Sequence, residues 1–282
     1  MAAPTFDLQS HSTHSDGALA PADVVAAAAA AGVELLALTD HDSVAGVDAA
    51  LAAARTHGIR VVPAIELSTL DEAGEDLHLL GYGIDHHAPA FTAALETFRA
   101  DRRARGHRMA DALRANGWVL DVPERESLGR PHLAAAAFAH PANQQRIRAA
   151  GLQTSSDLLV AELIPGAPSY RRRTLPTVAA AIELVHAAGG VAVWAHPFWD
   201  VEEPAAVLST IDRFAALGLD GVEAFYVTHT AEQTRLAAGH CAELGLLTTG
   251  SADFHGPGHP LFSRFRAFEL HGIEPRLGPL AD

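Results

Sequence analysis

Cysteine is almost missing from this sequence, and Cys241 is the single one among 282 residues. One cysteine excludes an internal disulfide framework and a zinc-thiolate cluster. No apolar stretch approaches the ~20 residues that a helix needs to cross a membrane. The first residues also lack the basic and apolar regions of a secretory signal. We therefore expect a cytoplasmic protein that does not act at a membrane.

Lysine is absent altogether, so all 20 basic residues are arginines, against 34 acidic residues. The formal net charge of -14 argues against non-specific binding to duplex DNA. The charge is uneven, because residues 99–173 hold 13 arginines and 7 acids, a net +6, whereas the rest of the chain carries -20. An acidic body with a basic segment suits a metal-binding core that handles an anionic substrate.

Histidine, in contrast, is abundant, with 17 residues against three tryptophans and three tyrosines. Many histidines and carboxylates beside a single cysteine are typical of mixed imidazole-carboxylate metal sites rather than of structural zinc. The hydrophobic content of 49% is that of an ordinary globular protein. The composition therefore indicates a globular protein that binds metal.

Strand-like apolar runs alternate with helix-like segments in two parts of the chain. The helix-like segments include the Ala-rich residues 22–31, which have a very high helix propensity and are followed by Gly32. This alternation predicts a parallel sheet or a barrel. The strand candidates are residues 5–9, 33–38, 59–65, 76–83, 191–194, 221–226 and 246–249.

The alternation breaks between the fourth and fifth strand candidates. Residues 88–116 read as one long helix, and shorter helical pieces follow it. We interpret residues 84–174 as an inserted helical subdomain that caps the substrate, and residues 1–83 with 175–282 as the barrel domain. The arginines of the insert form either a solvated face or a groove for an anion.

Every strand candidate has a histidine or an acid within it or just past its C-terminal end. These residues are His11 and Asp16, His41, Glu66, His78, His196, His229, and Asp253 with His255. A single such residue is usually a loop or capping residue, but scattered core histidines have no reason to choose the same end of every strand. Because the C-terminal strand ends of a β/α barrel converge on one mouth, where active sites form, we expect one shared site.

Eight motifs along the chain resemble those of the PHP (polymerase and histidinol phosphatase) family of metal-dependent phosphoesterases. They are DLQSHSTHSDG (7–17), LTDHDSVAG (38–46), PAIELS (63–68), HLLGYG (78–83), GRPHLA (129–134), AAGGVAVWAHP (187–197), YVTHTAEQ (226–233) and GSADFHGP (250–257). The resemblance covers nearly the whole chain and implies an α/β fold, a distorted seven-stranded β/α barrel with an inserted helical domain. It is greatest to the branch that removes the 3′-phosphate of nucleoside 3′,5′-bisphosphates or degrades short RNA from the 5′ end.

The resemblance also implies two to three divalent metal ions, Mn, Fe, Zn or Mg, at the mouth. The first metal would bind His11, Glu66 and Asp253. The second would share Glu66 and add His78 and His196. The third would bind Asp16, His41 and His255. Two cations ~4 Å apart lower the pKa of a shared water and clamp an in-line displacement at phosphorus.

Gln9 departs from the family pattern, whose first motif usually begins Asp-Leu-His. Its amide oxygen is a weaker and neutral ligand, so the first metal is loosely held, absent, or of a harder type such as Mg or Mn. His14 lies nearby in the sequence and either compensates for this change or is a solvent-facing turn residue.

Substrate contacts are expected from Arg130 and His132 in the insert and from His229 after the sixth strand. A guanidinium binds phosphate oxygens bidentately. The imidazole of His229 could contact phosphate or protonate the leaving group. The alternative for Arg130 and His132 is packing at the start of a helix. Arg171, Arg172 and Arg173 either extend an anionic groove or form a solvated linker.

We therefore expect a phosphohydrolase that cleaves a phosphate monoester of a small nucleotide by metal-activated hydroxide. A nucleoside 3′,5′-bisphosphate would give the 5′-monophosphate, and Asp253, His229 and Arg130 would take part in catalysis. The alternatives are a 5′-3′ exonuclease on short RNA, another small-molecule phosphatase, or a non-enzymatic metal- or nucleotide-binding module whose first metal site has decayed. The sequence leaves the metal identity and the oligomeric state open.

Overall fold

A computed structural model describes residues 4–72, 76–122, 124, 128–172 and 176–281. The chain divides into two units, Met1–Ala93 with Pro176–Asp282, and Ala94–Leu175. The first unit contains every strand of the described residues, and the second is helical. The boundary that the sequence placed between residues 174 and 175 lies outside the described residues.

Seven strands in sequential order form the sheet of the first unit. The strands are β1 (Phe6–Asp7), β2 (Leu35–Leu38), β3 (Arg60–Leu70), β4 (Asp76–Tyr82), β5 (Val191–Trp194), β6 (Gly221–Tyr226) and β7 (Leu247–Ser251). The last strand returns to the first, because the Leu8 N–H donates to the Gly250 carbonyl at 3.1 Å and Ser10 forms a parallel bridge with Phe254. The sheet is therefore nearly closed into a barrel, as the sequence predicts.

The sheet is mixed rather than entirely parallel. Strand β4 pairs antiparallel with both β3 and β5, whereas the other neighbouring pairs are parallel. The reason is the short connection from Leu70 to Asp76, because a parallel crossover needs a dozen or more residues. The reversal places His78, which lies near the start of β4, opposite Ser68 near the end of β3. His78 thus reaches the mouth from the beginning of its strand.

Helices separate most of the strands and pack against the sheet. In the first unit they are α1 (Pro21–Ala30), α2 (Val47–His57), α7 (Val178–Ala187), α8 (Pro197–Asp200), α9 (Pro204–Ala216) and α10 (Ala231–Leu244), with a 3-10 helix at Gly278–Leu280. Sequence signals fix their ends. Pro21 begins α1, where a missing N–H costs nothing, and Gly58 ends α2 in the left-handed conformation with a φ of 69°.

The second unit is built from helices around its own apolar core. Helix α3 (Pro89–Ala115) spans the division between the units and is followed by α4 (Arg130–Ala139), a 3-10 helix (Pro141–Asn143), α5 (Gln144–Ala149) and α6 (Ser155–Glu162). Leu113, Leu133 and Leu158 are fully buried in this core. Glu162 is buried with them and accepts hydrogen bonds from the Trp118 indole at 2.8 Å and the Ser169 hydroxyl at 2.7 Å, so both of its carboxylate oxygens have a hydrogen-bond partner.

Among the described residues, no helix has both the length and the apolar character that a membrane crossing requires.

Candidate metal centre

The mouth of the barrel gathers most of the residues that the sequence analysis proposed as metal ligands. Each member of the cluster has a nitrogen or carboxylate oxygen within 3.6 Å of another member. The members are His11, Asp16, His41, Glu66, His78, His196, Asp253 and His255. We call this set the mouth cluster. It excludes Gln9 and draws on six of the seven strands or the loops that follow them.

Glu66 lies at the centre of the mouth cluster. Its Oε1 atom is 2.8 Å from His78 Nδ1 and 3.3 Å from His196 Nε2. Its Oε2 atom is 3.1 Å from His11 Nε2 and 3.3 Å from His41 Nδ1. Burial raises the pKa of Glu66, but the nearby imidazoles of His41, His78 and His11 outweigh burial and hold this pKa well below its usual value. The carboxylate is therefore ionised and able to bridge two cations.

The outer side of the mouth cluster is formed by two further carboxylates. Asp253 Oδ1 is 3.1 Å from His11 Nε2 and 3.6 Å from His255 Nδ1. Asp16 is 3.6 Å from His41 Nε2 and 3.5 Å from His255 Nε2. His41 therefore lies close to both Asp16 and Glu66, so the three expected ligand sets form one continuous cluster.

Unsatisfied polar atoms converge in this cluster. Within the described residues, no hydrogen bond is formed by His11 Nε2, His41 Nδ1, Glu66 Oε2 or Asp253 Oδ1, although each atom is buried. An unsatisfied buried polar atom costs about 1–3 kcal/mol, and buried charges are paired or coordinate metals. Imidazole and carboxylate donors suit divalent Mn, Fe and Zn. The donor set therefore fits the metal ions that the sequence analysis expects.

Asp40 fixes the first loop of the mouth. Its Oδ1 atom accepts the Ser12 N–H at 2.7 Å and the Ser15 hydroxyl at 2.6 Å, and its Oδ2 atom accepts the Ser12 hydroxyl at 2.6 Å. Gly17 closes the same loop so tightly that a Cβ atom there would lie 2.2 Å from the His11 carbonyl oxygen. These contacts hold His11 and Asp16 in one turn.

Two other buried acids position ligands without belonging to the mouth cluster. Asp7 accepts the N–H groups of Ala252 at 2.9 Å and Arg266 at 2.7 Å, and so anchors the segment that carries Asp253. Asp42 accepts the Ser68 N–H at 2.9 Å and ties the loop after β2 to β3. Both acids are nearly inaccessible to solvent, which suits this orienting role.

The backbone is strained at three residues of the mouth. Asp42, His196 and Asp253 have φ angles of 53°, 29° and 53°, in the left-handed region that costs a non-glycine residue about 1–3 kcal/mol. The His196 N–H donates to Glu223 Oε2 at 2.9 Å, and the Tyr226 hydroxyl donates to Asp253 Oδ2 at 2.8 Å. These two hydrogen bonds help to hold His196 and Asp253 in their strained conformations.

Strand β6 contributes a buried glutamate, Glu223, which was not among the residues predicted from the sequence. Glu223 is fully buried and accepts a hydrogen bond from the Ser251 hydroxyl at 2.6 Å. It also accepts the His196 N–H described above. Burial raises the pKa of Glu223 to about 8. A glutamate inside the apolar run Gly221–Tyr226 is the signal that would have revealed it, because an acid within a strand that is otherwise apolar needs a partner.

Gln9 is buried beside this network rather than within the mouth cluster. Its Oε1 atom lies 3.4 Å from the Ser251 hydroxyl, and its Nε2 atom has no hydrogen-bond partner among the described residues. The side chain of His14 is exposed, and the described groups that are close enough to share an ion do not include it. The geometry thus favours the turn-residue interpretation of His14.

His229 is buried next to the mouth cluster. Its Nδ1 atom is 3.2 Å from the Ala224 carbonyl oxygen, which can only accept, so Nδ1 carries the hydrogen and Nε2 keeps a lone pair. Burial lowers the pKa of His229 to about 4, and the ring is therefore neutral at pH 7. This arrangement favours a role as an acceptor or ligand over a role as a general acid.

The basic residues of the helical unit serve partly local roles. Arg130 and His132 lie in the first turn of α4, where His132 Nδ1 accepts the Gly129 N–H at 3.1 Å. Arg171 donates to the Tyr170 carbonyl at 2.7 Å. Arg173 lies outside the described residues. The capping bond agrees with the helix-start alternative for His132, while the phosphate roles of Arg130 and His132 stay predictions.

Comparisons with known proteins identify the family of this chain. A model described as the PHP domain matches residues 7–117. A 5′-3′ exoribonuclease from Haemophilus influenzae is 32% identical over 252 residues, which cover 89% of this chain and 90% of the relative. The chain belongs to the PHP family.

Two further similarities cover at least 90% of the PHP chain. A 3′,5′-nucleoside bisphosphate phosphatase from Chromobacterium violaceum is 32% identical over 264 residues, which cover 90% of this chain and 88% of the relative. A solved structure of an amidohydrolase from Chromobacterium violaceum, with bound sulfate and no metal, has a TM-score of 0.77 at 29% identity. The alignment covers 93% of this chain and 94% of the solved chain.

These findings confirm three of the predictions from sequence. The fold is a barrel of α/β class, the family is the PHP family, and the protein is a metal-dependent phosphoesterase. The alternative of a module without enzymatic activity gains no support from them.

Replacing Gln9 by histidine tests whether this position faces a metal. We expect Gln9→His to retain metal longer than the unmodified protein during dialysis against a chelator, because an imidazole is a better ligand than an amide oxygen. Elemental analysis at fixed times measures the bound metal. Gln9→Met is the control, since it has a similar volume and no imidazole. Equal rates of metal loss in all three proteins would show that residue 9 does not reach the metals.

Proposed function

We propose that the protein is a phosphatase that hydrolyses a phosphate monoester of a small nucleotide. The substrate is a nucleoside 3′,5′-bisphosphate, and the product is the 5′-monophosphate. The observation that carries this proposal is the buried Glu66 carboxylate, which lies within 3.3 Å of nitrogen atoms from four histidines. The relative from Chromobacterium violaceum that is named for this activity supports the choice of substrate.

We assign the mouth cluster to two or three cation sites. The first uses His11, Glu66 and Asp253, and the second uses Glu66, His78 and His196. The third uses Asp16, His41 and His255. When bound, divalent cations polarise the phosphoryl oxygens and lower the pKa of water towards neutrality. The shared carboxylate of Glu66 supports this division, because its two oxygens face different histidines.

The protein's own side chains orient the ligands and the substrate. The Tyr226 hydroxyl binds Asp253 Oδ2 and leaves Oδ1 directed towards His11. The Nε2 atom of His229 is buried without a hydrogen-bond partner among the described residues, and we expect its lone pair to accept a hydrogen bond from water or from a substrate hydroxyl. A preorganised arrangement of this kind avoids reorganisation during the reaction.

The helical unit is assigned to substrate binding. Residues 99–173 carry a net charge of +6, which complements a substrate with two phosphates. Arg130 is the residue that we expect to bind a phosphate, with His132 beside it at the start of α4. This basic segment suits short RNA equally well, so a 5′-3′ exonuclease is the second candidate function. The relative from Haemophilus influenzae, named as an exoribonuclease, supports the second candidate.

Trp199 is the side chain that we assign to the nucleobase. It is 50% exposed, although an indole of this size is normally buried. Its ring lies 5.7 Å from the ring of Phe262, which in turn lies 5.5 Å from the imidazole of His255 in the mouth cluster. An exposed indole held by a second ring beside a phosphate site is suited to stacking on a base.

Substitution of His196 tests the proposed reaction. His196→Ala is expected to lower turnover of a nucleoside 3′,5′-bisphosphate by more than the roughly 10–100-fold that loss of an outer-shell partner costs, because it removes a ligand. The matched control is His107→Ala, an exposed histidine of α3, which should keep full activity. Circular dichroism checks that both variants are folded. Full activity of metal-loaded His196→Ala would show that the proposed site is wrong.

The same assay separates the two candidate functions. Faster turnover of the bisphosphate than of a short 5′-phosphorylated oligonucleotide supports the phosphatase, and the reverse order supports the exonuclease.

Trp199→Ala tests the nucleobase contact. Loss of one base-aromatic stack costs about 1–3 kcal/mol, so KM for the nucleotide should rise while kcat changes little. For glycerol phosphate, which has no base, KM should stay constant. Leu261→Ala is the control, because Leu261 is 54% exposed and has no ring. An equal rise in KM for both substrates would rule out stacking by Trp199.

A further inference from the structure

A second group of metal-type ligands lies outside the mouth cluster. Asp48 is in the first turn of α2, while His86 and His87 occupy the turn between β4 and α3. The three side chains come from segments 38 residues apart in the sequence. None of them belongs to the PHP motifs described above, and the proposed reaction does not use them.

The donor atoms of this group converge on one point. His86 Nε2 is 3.0 Å from Asp48 Oδ1, and His87 Nε2 is 3.3 Å from the same oxygen. One donor atom from each residue lies within 4.8 Å of the others. Ligands of a tetrahedral Zn²⁺ ion, with bonds of about 2.0–2.1 Å, are about 3.3 Å apart. The two distances to Asp48 therefore match the spacing of ligands on a single small cation, and the two histidine donors lie within 4.8 Å of each other.

The local structure holds the histidines in this position. The Asp85 carboxylate accepts the His87 N–H at 3.0 Å, and the Asp85 N–H donates to the Ala188 carbonyl at 2.8 Å. This side-chain bond to the backbone two residues on is a stable turn, anchored to the segment before β5. The site is thus built on a fixed turn and on a helix, which limits the entropy that binding would cost.

The chemistry of the three donors selects the kind of cation. Two imidazoles and one carboxylate suit Zn²⁺ and similar transition metals, whereas Mg²⁺ and Ca²⁺ prefer oxygen ligands. Asp48 and His87 each have a side-chain exposure of 68%, while that of His86 is 11%. An ion would therefore be reached directly from solvent, and water would complete its coordination.

We propose that Asp48, His86 and His87 form an accessory Zn²⁺ site, separate from the metal centre of the mouth. The ion joins the start of α2 to the turn after β4. It is an addition to the cations that the mouth cluster holds, so it should appear as one extra equivalent of bound metal. The proposal does not depend on the substrate or on the reaction.

Counting bound Zn²⁺ tests this site directly. The protein is dialysed against Zn²⁺, and the bound metal is measured by elemental analysis. We expect His87→Ala to bind one equivalent less than the unmodified protein, with no change in phosphatase activity. Because the side chain of His87 is exposed, we expect His87→Ala to fold like the unmodified protein. The control is His57→Ala, an exposed histidine at the end of α2, which should bind the full number.

Repeating the test in the His196→Ala variant makes it independent of the mouth cluster. Adding His87→Ala to His196→Ala should again remove one equivalent, whatever the mouth still binds. Asp48→Asn should have the same effect, since an amide keeps the hydrogen bonds and loses the charge. Equal Zn²⁺ content in His87→Ala, His57→Ala and the unmodified protein would overturn the proposal and would identify the group as a simple hydrogen-bonded Asp-His cluster.

Discussion

The arrangement of the barrel mouth depends on one buried carboxylate. Glu66 is fully buried and lies within 3.3 Å of nitrogen atoms from His11, His41, His78 and His196. A charge in such a position is costly unless it is compensated, and neutral imidazoles alone cannot compensate it. Either protons or cations must therefore accompany the cluster. Divalent cations do so while also supplying the charge that phosphoryl transfer requires.

The polar groups around the cluster show how the fold maintains it. Three further buried acids, Asp7, Asp40 and Asp42, accept backbone N–H groups from the loops at the strand ends and from β3. Their hydrogen bonds fix the loops before any metal is bound. Removing one of these acceptors would leave buried N–H groups unsatisfied. The site is thus maintained by the loops as much as by the metal ligands themselves.

The sequence points to the residues of the mouth cluster because its signal repeats. One polar residue after one strand says little, but the same placement after successive strands indicates a shared mouth. The sequence does not predict that β4 is antiparallel, because the predicted third strand ends at residue 65, whereas β3 extends to Leu70 and leaves only a short connection to Asp76. Nor does it reveal that Glu223 supports His196 or that Gln9 faces Ser251. These contacts depend on the register between strands, which spacing along a single strand does not specify.

The central claim is that the mouth cluster holds catalytic divalent cations. The most direct measurement is a crystal structure of the Mn²⁺-loaded protein, with anomalous diffraction used to locate the ions. We expect two or three anomalous peaks bonded to the mouth cluster, one of them bridged by Glu66 to its neighbour. A map of the fully loaded protein without a peak bonded to Glu66 would contradict it.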